Sequence, residues 1–156
     1  MLERILLAVD ESEHARKAVP AAIELARGGG GTVHVLHVHE LAFARATVVG
    51  DSQEEAEQLV ARTVEELKQA GVTADGTVRT STAGPARAIL EHARDMNASM
   101  IVLGSRGLGA LGGLLLGSVA HKIIQLATCP VLVVRDEQSL QERHHDVLRA
   151  QTRFQA

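Results

Sequence analysis

Ser99–Val134, SMIVLGSRGLGALGGLLLGSVAHKIIQLATCPVLVV, sets two short apolar runs on either side of a glycine-rich loop and an amphipathic segment. Ser99–Leu103 is apolar throughout after its serine and too short for a helix, so it reads as a buried strand. Gly104–Ser118, GSRGLGALGGLLLGS, follows as a loop crowded with glycine. Gly117–Ala127 then has helical spacing, and Pro130–Val134 (PVLVV) is again a strand. Two strands joined through a helix run parallel. This unit decides the fold class.

Working outward, the same alternation fills the chain. Arg4–Val9 (RILLAV) reads as a buried strand ending at Asp10. Ser12 to Arg27 follows as a helix, with Ala15, Val19, Ala22, Ile23 and Ala26 at helical spacing and Gly28–Gly31 as its stop. Pro20 lies inside it and removes one backbone hydrogen bond. Thr32–Val38 is the second strand, and His39–Gly50 reads as a loop of mixed character. Asp51–Ala70 is a Glu-rich helix with Ala56, Leu59, Val60, Val64 and Leu67 on one stripe. Val72–Thr80 is a more polar strand, placed near a sheet edge. Gly84–Met96 is a helix with Pro85 in its first turn, where proline is tolerated. The expected architecture is α/β: a single-domain, doubly wound, five-stranded parallel sheet with helices on both faces, Rossmann-like. In such sheets ligands bind at the carboxyl ends of the strands, where the winding direction switches. Asp10 and Gly104 both fall at such ends.

Composition narrows the functional classes. The 156 residues are enough for one domain with a real core. Aromatics are 1%, Phe43 and Phe154 alone, so a bound base must lie against aliphatic side chains and be read by backbone groups. The net charge of −3 provides no general attraction for nucleic acid or anionic membranes. A single cysteine, Cys129, the absence of a signal-peptide pattern and the lack of a long apolar run predict a soluble, cytoplasmic protein.

The glycine-rich loop carries the chemistry. Glycines between a strand and a helix start expose backbone N–H groups, and the helix start adds partial positive charge, so a phosphate fits there. A Walker A loop is excluded, because none of Lys17, Lys68 and Lys122 follows a glycine. Gly107, Gly109 and Gly112 spell G-x-G-x-x-G, but after the fourth strand rather than the first, where a dinucleotide fingerprint belongs. Gly104, Gly107, Gly117 and Ser118 instead stand in a G-x2-G-x9-G-S frame.

That frame resembles the ATP-binding signature of the universal stress protein family. RILLAVDES at Arg4–Ser12, HVLHV at His34–Val38, ASMIVLGSRG at Ala98–Gly107, LLLGSVAHKII at Leu114–Ile124 and CPVLVVR at Cys129–Arg135 are similar to the family's segments in the same order. The resemblance implies a domain over residues 1–135, of the adenine nucleotide alpha hydrolase-like kind, that binds ATP, with any Mg²⁺ borne by the nucleotide. It implies adenine near Ala8, Val9 and Val38, with Val38 offering backbone groups, Asp10 on the ribose hydroxyls, and Leu103 among the residues that bind the nucleotide. Gly104, Arg106, Gly107, Gly117, Ser118 and Val119 then surround the phosphates. Each charge-assisted hydrogen bond contributes roughly 1.5–3 kcal/mol, which less ordering costs gives a dissociation constant on the order of micromolar. It also implies a homodimer through Pro130–Val134, an apolar strand that composition alone already marks as a candidate edge.

Plainer roles compete at several positions. Asp10 with Glu13 forms a D-x-x-E capping box that could start the first helix, and Ser118 could be the N-cap of the last. The loop could be empty, which leaves a dimeric interaction module that binds no nucleotide. The strand edge could be covered by the protein's own tail, Asp136–Ala156, a polar segment with Leu140, Val147, Leu148 and Phe154 near one helical face. His34 points to one face of its strand and His37 and His39 to the other, too few ligands for a metal site. No nucleophile-and-base pair and no water-activating group is evident, so binding is better supported than turnover, and any hydrolysis is slow.

Overall fold

The computed structural model describes residues 2–40, 52–106 and 116–135 in full, and the backbone of 42–44 and 47–49. Gly107 and the tail 136–156 lie outside the described residues. The elements are β1 (Arg4–Ala8), α1 (Glu13–Gly29), β2 (Thr32–Glu40), β3 (Ala42–Ala44), β4 (Thr47–Val49), α2 (Gln53–Gln69), β5 (Ala74–Ser81), α3 (Pro85–Asp95), β6 (Met100–Gly104), α4 (Ser118–Leu126) and β7 (Val131–Val134). Five strands form one parallel sheet in the order β5-β2-β1-β6-β7.

Strand parity sorts the apolar residues into two layers. Ile5, Leu7, Val33, Val35 and Val102 face α1 and α2, where Ala18, Val19, Ala22, Leu59, Val60 and Leu67 meet them. Leu6, Ala8, Leu36, Ile101 and Leu103 face α3 and α4, against Ile89, Leu90, Ala120 and Ile123. Ile5, Leu6, Leu7, Leu36 and Ile101 are fully buried. Each such side chain contributes roughly 1.5–3 kcal/mol through burial, so β1, covered on both faces, anchors the sheet. Gly76 in β5 lets α2 approach, since a Cβ there would lie 2.6 Å from Val60 Cγ1 and 2.9 Å from the Val35 carbonyl.

Four sequence expectations are corrected. His39–Gly50 is not a plain loop: β2 continues to Glu40, paired with Ser81, and β3 and β4 form an antiparallel hairpin with Phe43 opposite Val48. The run Thr47–Val49 is β-branched throughout, which favours extended backbone over coil. Helix α1 passes Arg27 and stops only at Gly30, whose φ of 66° makes the left-handed cap; Gly28 and Gly29 stay helical. The N-cap of α1 is Ser12, not Asp10: the Ser12 hydroxyl accepts from the Ala15 N–H at 3.2 Å. Asp10 Oδ1 accepts from the Ser12 N–H at 2.8 Å, an Asx turn that leads into the helix. The N-cap of α4 is Gly117 rather than Ser118. Pro20 sits exposed on α1, and the helix runs through it.

Both edges of the sheet fall where the sequence put them. β5 is polar and half-buried, and β7 is apolar and half-buried along its whole length. Beside the β5 edge, His34 Nδ1 lies 2.6 Å from Asp75 Oδ1, and its ring stacks on His92 of α3 with centroids 4.9 Å apart. Burial, then the neighbouring His34 and Arg79, hold the His92 imidazole below its ordinary 6.5. The unfolded chain therefore takes up a proton at His92 before the folded chain does, and stability present above that value drains away as pH falls below it. The melting temperature is expected to drop between about pH 7.5 and about pH 5.5, and to drop less in His92→Phe, which keeps the stack without the proton. Equal acid losses in the two proteins, by differential scanning fluorimetry, would remove His92 as the cause.

Candidate functional site

β1 is flanked by β2 on one side and β6 on the other, so the winding direction switches between β1 and β6. Crevices in open α/β sheets form at that point, beyond the carboxyl ends of the strands. The turn after β1 brings Asp10 there, and the segment after β6 brings Ser105 and Arg106.

The two turns are tied together. The Ser12 hydroxyl reaches the Arg106 carbonyl at 3.5 Å. The Ser105 N–H donates to the Val134 carbonyl at 2.9 Å, and the Ser105 carbonyl accepts from the Gly117 N–H at 2.7 Å. The last bond draws the two ends of the glycine-rich segment to one point on the rim, with α4 starting from it. Gly104 is buried, and a Cβ there would sit 2.5 Å from the His14 carbonyl oxygen and 2.8 Å from the Ala15 nitrogen. Its missing side chain therefore serves the approach of α1 to β6, a reason the spacing of the frame does not reveal.

Gly117 caps α4 without a side chain, and among the described residues no hydroxyl or carboxylate closes the first turn of that helix. Its leading N–H groups are the orphan donors of a helix N-terminus, carrying partial positive charge. Ser118 is the exposed first residue of this turn and Val119 is half-buried beside it; Arg106 is half-buried at the loop entrance. Asp10 is half-buried, and among the described residues only its Oδ1 accepts a hydrogen bond, which leaves the second oxygen for another donor.

The apolar candidates divide by layer. Ala8, Val38, Leu103 and Val119 all join the layer under α3 and α4, and Leu116, which sequence reasoning did not single out, joins them. Val9 is the exception, with its side chain in the opposite layer. Its main chain faces β2: the Val9 N–H donates to the Leu36 carbonyl at 3.0 Å, and its carbonyl accepts from His37 Nδ1 at 2.9 Å. Even-numbered residues of β2 thus turn their main chain toward β1, while odd-numbered ones turn toward β5, as with Val33 N–H to the Thr73 carbonyl. Val38 has the parity of Leu36 and lies beyond the end of β1. Among the described backbone groups, Val38 N–H makes no bond to Val9, so its peptide edge faces the crevice.

Several of the remaining polar groups have structural partners, while the buried His14 Nδ1, His34 Nε2 and His39 Nε2 have none among the described residues. His37 and His39 share the α1–α2 face and His34 takes the other, as parity requires; His39 Nδ1 meets Gln53 Oε1 at 3.2 Å. No three metal-ligating side chains cluster among the described residues. Burial pushes the Cys129 thiol up, which keeps the sulfur protonated at neutral pH. On the α1–α2 side of Asp10 lies a cavity of about 130 Å³ lined by Val9, Arg16, Val19, Leu59, Arg62, Thr63 and Glu66. It is smaller than the roughly 300–1,000 Å³ of ordinary ligand pockets, so it does not suit a nucleotide.

The universal stress protein family pattern matches residues 1–135. The chain belongs to that family. Universal stress protein YxiE of Bacillus subtilis is 33% identical over 150 residues, covering 86% of this chain and 100% of that protein. A universal stress protein of Thermus aquaticus is 36% identical over 140 residues, with the same coverage of 86% and 100%. Among solved structures, the universal stress protein from Archaeoglobus fulgidus in complex with dAMP is 27% identical and superposes with a TM-score of 0.62, covering 85% of this chain and 98% of that one. This universal stress protein is thus a stress-response protein with the family fold. No helix among its described residues is long and apolar enough to cross a membrane.

Gly104→Ala tests the packing of α1 on β6. The added methyl meets backbone rather than a movable side-chain end. The expected cost is about 1–3 kcal/mol, seen as a lower urea midpoint with unchanged slope. A midpoint equal to wild type would show that the helix yields freely.

Proposed function

We propose that the crevice at the carboxyl ends of β1, β2 and β6 binds an adenine nucleotide, with ATP as the physiological ligand, and that occupancy makes this cytoplasmic protein a sensor or switch in the stress response. The observation that carries the proposal is the pairing, at one rim, of the spare Asp10 oxygen with the uncapped first turn of α4. Base and ribose lie toward Asp10, and phosphate toward α4. The base rests on Ala8, Val38, Leu103 and Val119, with the turn at Val9 beside it and the Val38 peptide edge reading its rim. Asp10 accepts from the ribose hydroxyls. Arg106, Gly104, Gly107, Gly117 and Ser118 enclose the phosphates. The dAMP bound by the relative from Archaeoglobus fulgidus supports the ligand class.

A Mg²⁺ ion, when present, would be carried by the phosphates, because no acidic cluster among the described residues offers it a site. The protein's own groups bind and orient; among the described residues at the rim none is a base placed to activate water, and turnover is at most slow. Calorimetric titration with ATP, AMP and a dinucleotide is expected to give heat for the mononucleotides at micromolar concentration, and none after Gly117→Val, which puts a β-branched side chain at the start of α4. Absence of heat for every nucleotide with the wild-type protein would reject the proposal in favour of a nucleotide-free interaction module.

We also propose homodimerisation through Pro130–Val134. Among the described residues β7 pairs with β6 alone and is apolar along its length, and Ile124 and Leu126 on α4 are exposed large hydrophobic residues. A two-fold pairing of β7 with its copy satisfies the edge. Val133→Asp is expected to halve the mass measured by light scattering while the far-ultraviolet circular dichroism stays native. A native-like variant of unchanged mass would place the contact elsewhere.

A further inference from the structure

We propose that His37 is a positioning residue for the nucleotide crevice, acting from the opposite face of the sheet. His37 is 5% exposed and points into the α1–α2 layer, away from the layer of Ala8, Val38 and Leu103. It touches no ligand placed in the crevice. Its Nδ1 lies 2.9 Å from the Val9 carbonyl oxygen. A carbonyl only accepts, so Nδ1 carries the proton and donates it. The inference rests on the nucleotide reading above and names what makes that site selective.

The effect follows from ladder geometry. In a parallel pair extended by one more residue, the Val9 carbonyl would accept the Val38 N–H, since the Val9 N–H already donates to Leu36. The imidazole takes that carbonyl instead. Two consequences follow at once. Val38 keeps both its N–H and its carbonyl for the crevice, the donor–acceptor pair that matches the amino-pyrimidine edge of adenine and mismatches guanine. Asp10, the next residue after Val9, starts its turn from a fixed peptide plane, with Oδ1 held by Ser12 and the other oxygen presented to the vicinal hydroxyls of a ribose. His37 therefore favours adenine over guanine and ribose over deoxyribose without contacting either.

The tests separate this role from mere stability. In His37→Leu the carbonyl is released, and AMP affinity is expected to fall about tenfold, the scale of one lost hydrogen bond. The AMP-to-dAMP affinity ratio is expected to shrink toward one. His37→Asn places an amide nitrogen where Nδ1 was and restores the ratio; a purely structural histidine would weaken AMP and dAMP alike and leave the ratio unmoved. Should His37→Leu not fold, His37→Met fills the space without a donor, and the wild-type protein gives its own readout. In deuterium exchange the ligand-free Val38 amide is expected to exchange faster than that of Leu36, and to slow when AMP is added. A protected Val38 amide in the ligand-free protein overturns the role of His37, as does an unchanged AMP-to-dAMP ratio in the donor-free variant. Wild-type protein that binds no AMP overturns the nucleotide reading and this inference with it, a result distinct from the other two.

Discussion

The rim of the sheet depends on one close approach, the first turn of α1 lying on β6 at Gly104. No side chain larger than hydrogen fits between them. Because α1 lies this close, the Ser12 cap reaches the Arg106 carbonyl, and the turn after β1 is joined to the segment after β6. Those two turns belong to strands on opposite sides of the winding switch. Separated by one more side chain, they would leave an open notch instead of a crevice whose walls share hydrogen bonds.

The two faces of the sheet divide the work at this rim. Near the rim the α3–α4 face is aliphatic, with Ala8, Val38, Leu103, Leu116 and Val119, while its imidazoles, His34 and His92, stack beside the β5 edge. The α1–α2 face carries the buried polar groups His37, His39 and Thr63, whose Nδ1, Nδ1 and hydroxyl meet the Val9 carbonyl, Gln53 and the Leu59 carbonyl, while His39 Nε2 has no partner among the described residues. Buried polar groups are tolerable when paired, and paired ones hold the main chain more tightly than apolar contact does. One face thus offers a smooth floor, while the other fixes the peptide groups that border it.

Much of this was legible in the sequence because its strands are continuous apolar runs buried on both faces and its glycines punctuate the helices. The five sheet strands, both edges and the convergence of Asp10, Arg106 and Gly117 all follow from patterns that depend on neighbours in sequence. What escaped depends on neighbours in space. The cap at Ser12 hides behind the better-looking Asp10–Glu13 spacing, since either residue satisfies the local rule and only the course of the turn decides. The hairpin at 42–49 hides in a stretch with neither glycine nor proline to mark a turn. Gly104 looked like an exposed phosphate glycine because sequence spacing cannot show the helix lying on it. The sequence offers His37 only as a possible metal ligand, although its parity with Val33 and Val35 places it in the α1–α2 layer, where a buried imidazole needs a partner.

Ser105 gives the crevice a further physical link. Its N–H is held by the last residue of β7 and its carbonyl holds Gly117, so one residue, through its two adjoining peptide groups, joins the edge strand to the start of α4. The two planar peptide groups meet at the Ser105 Cα, so a shift of that buried residue moves both bonds together. A β7 strand stiffened by pairing with a second copy would steady the Val134 carbonyl, and through Ser105 the first turn of α4. Phosphate held at that turn would steady Ser105 in the reverse direction, since coupling between two sites is reciprocal. The chain needs no aromatic stack or lysine for such a connection. It needs only that its edge strand and the first turn of α4 hang from the same residue, and Ser105, 3% exposed, is placed where both do.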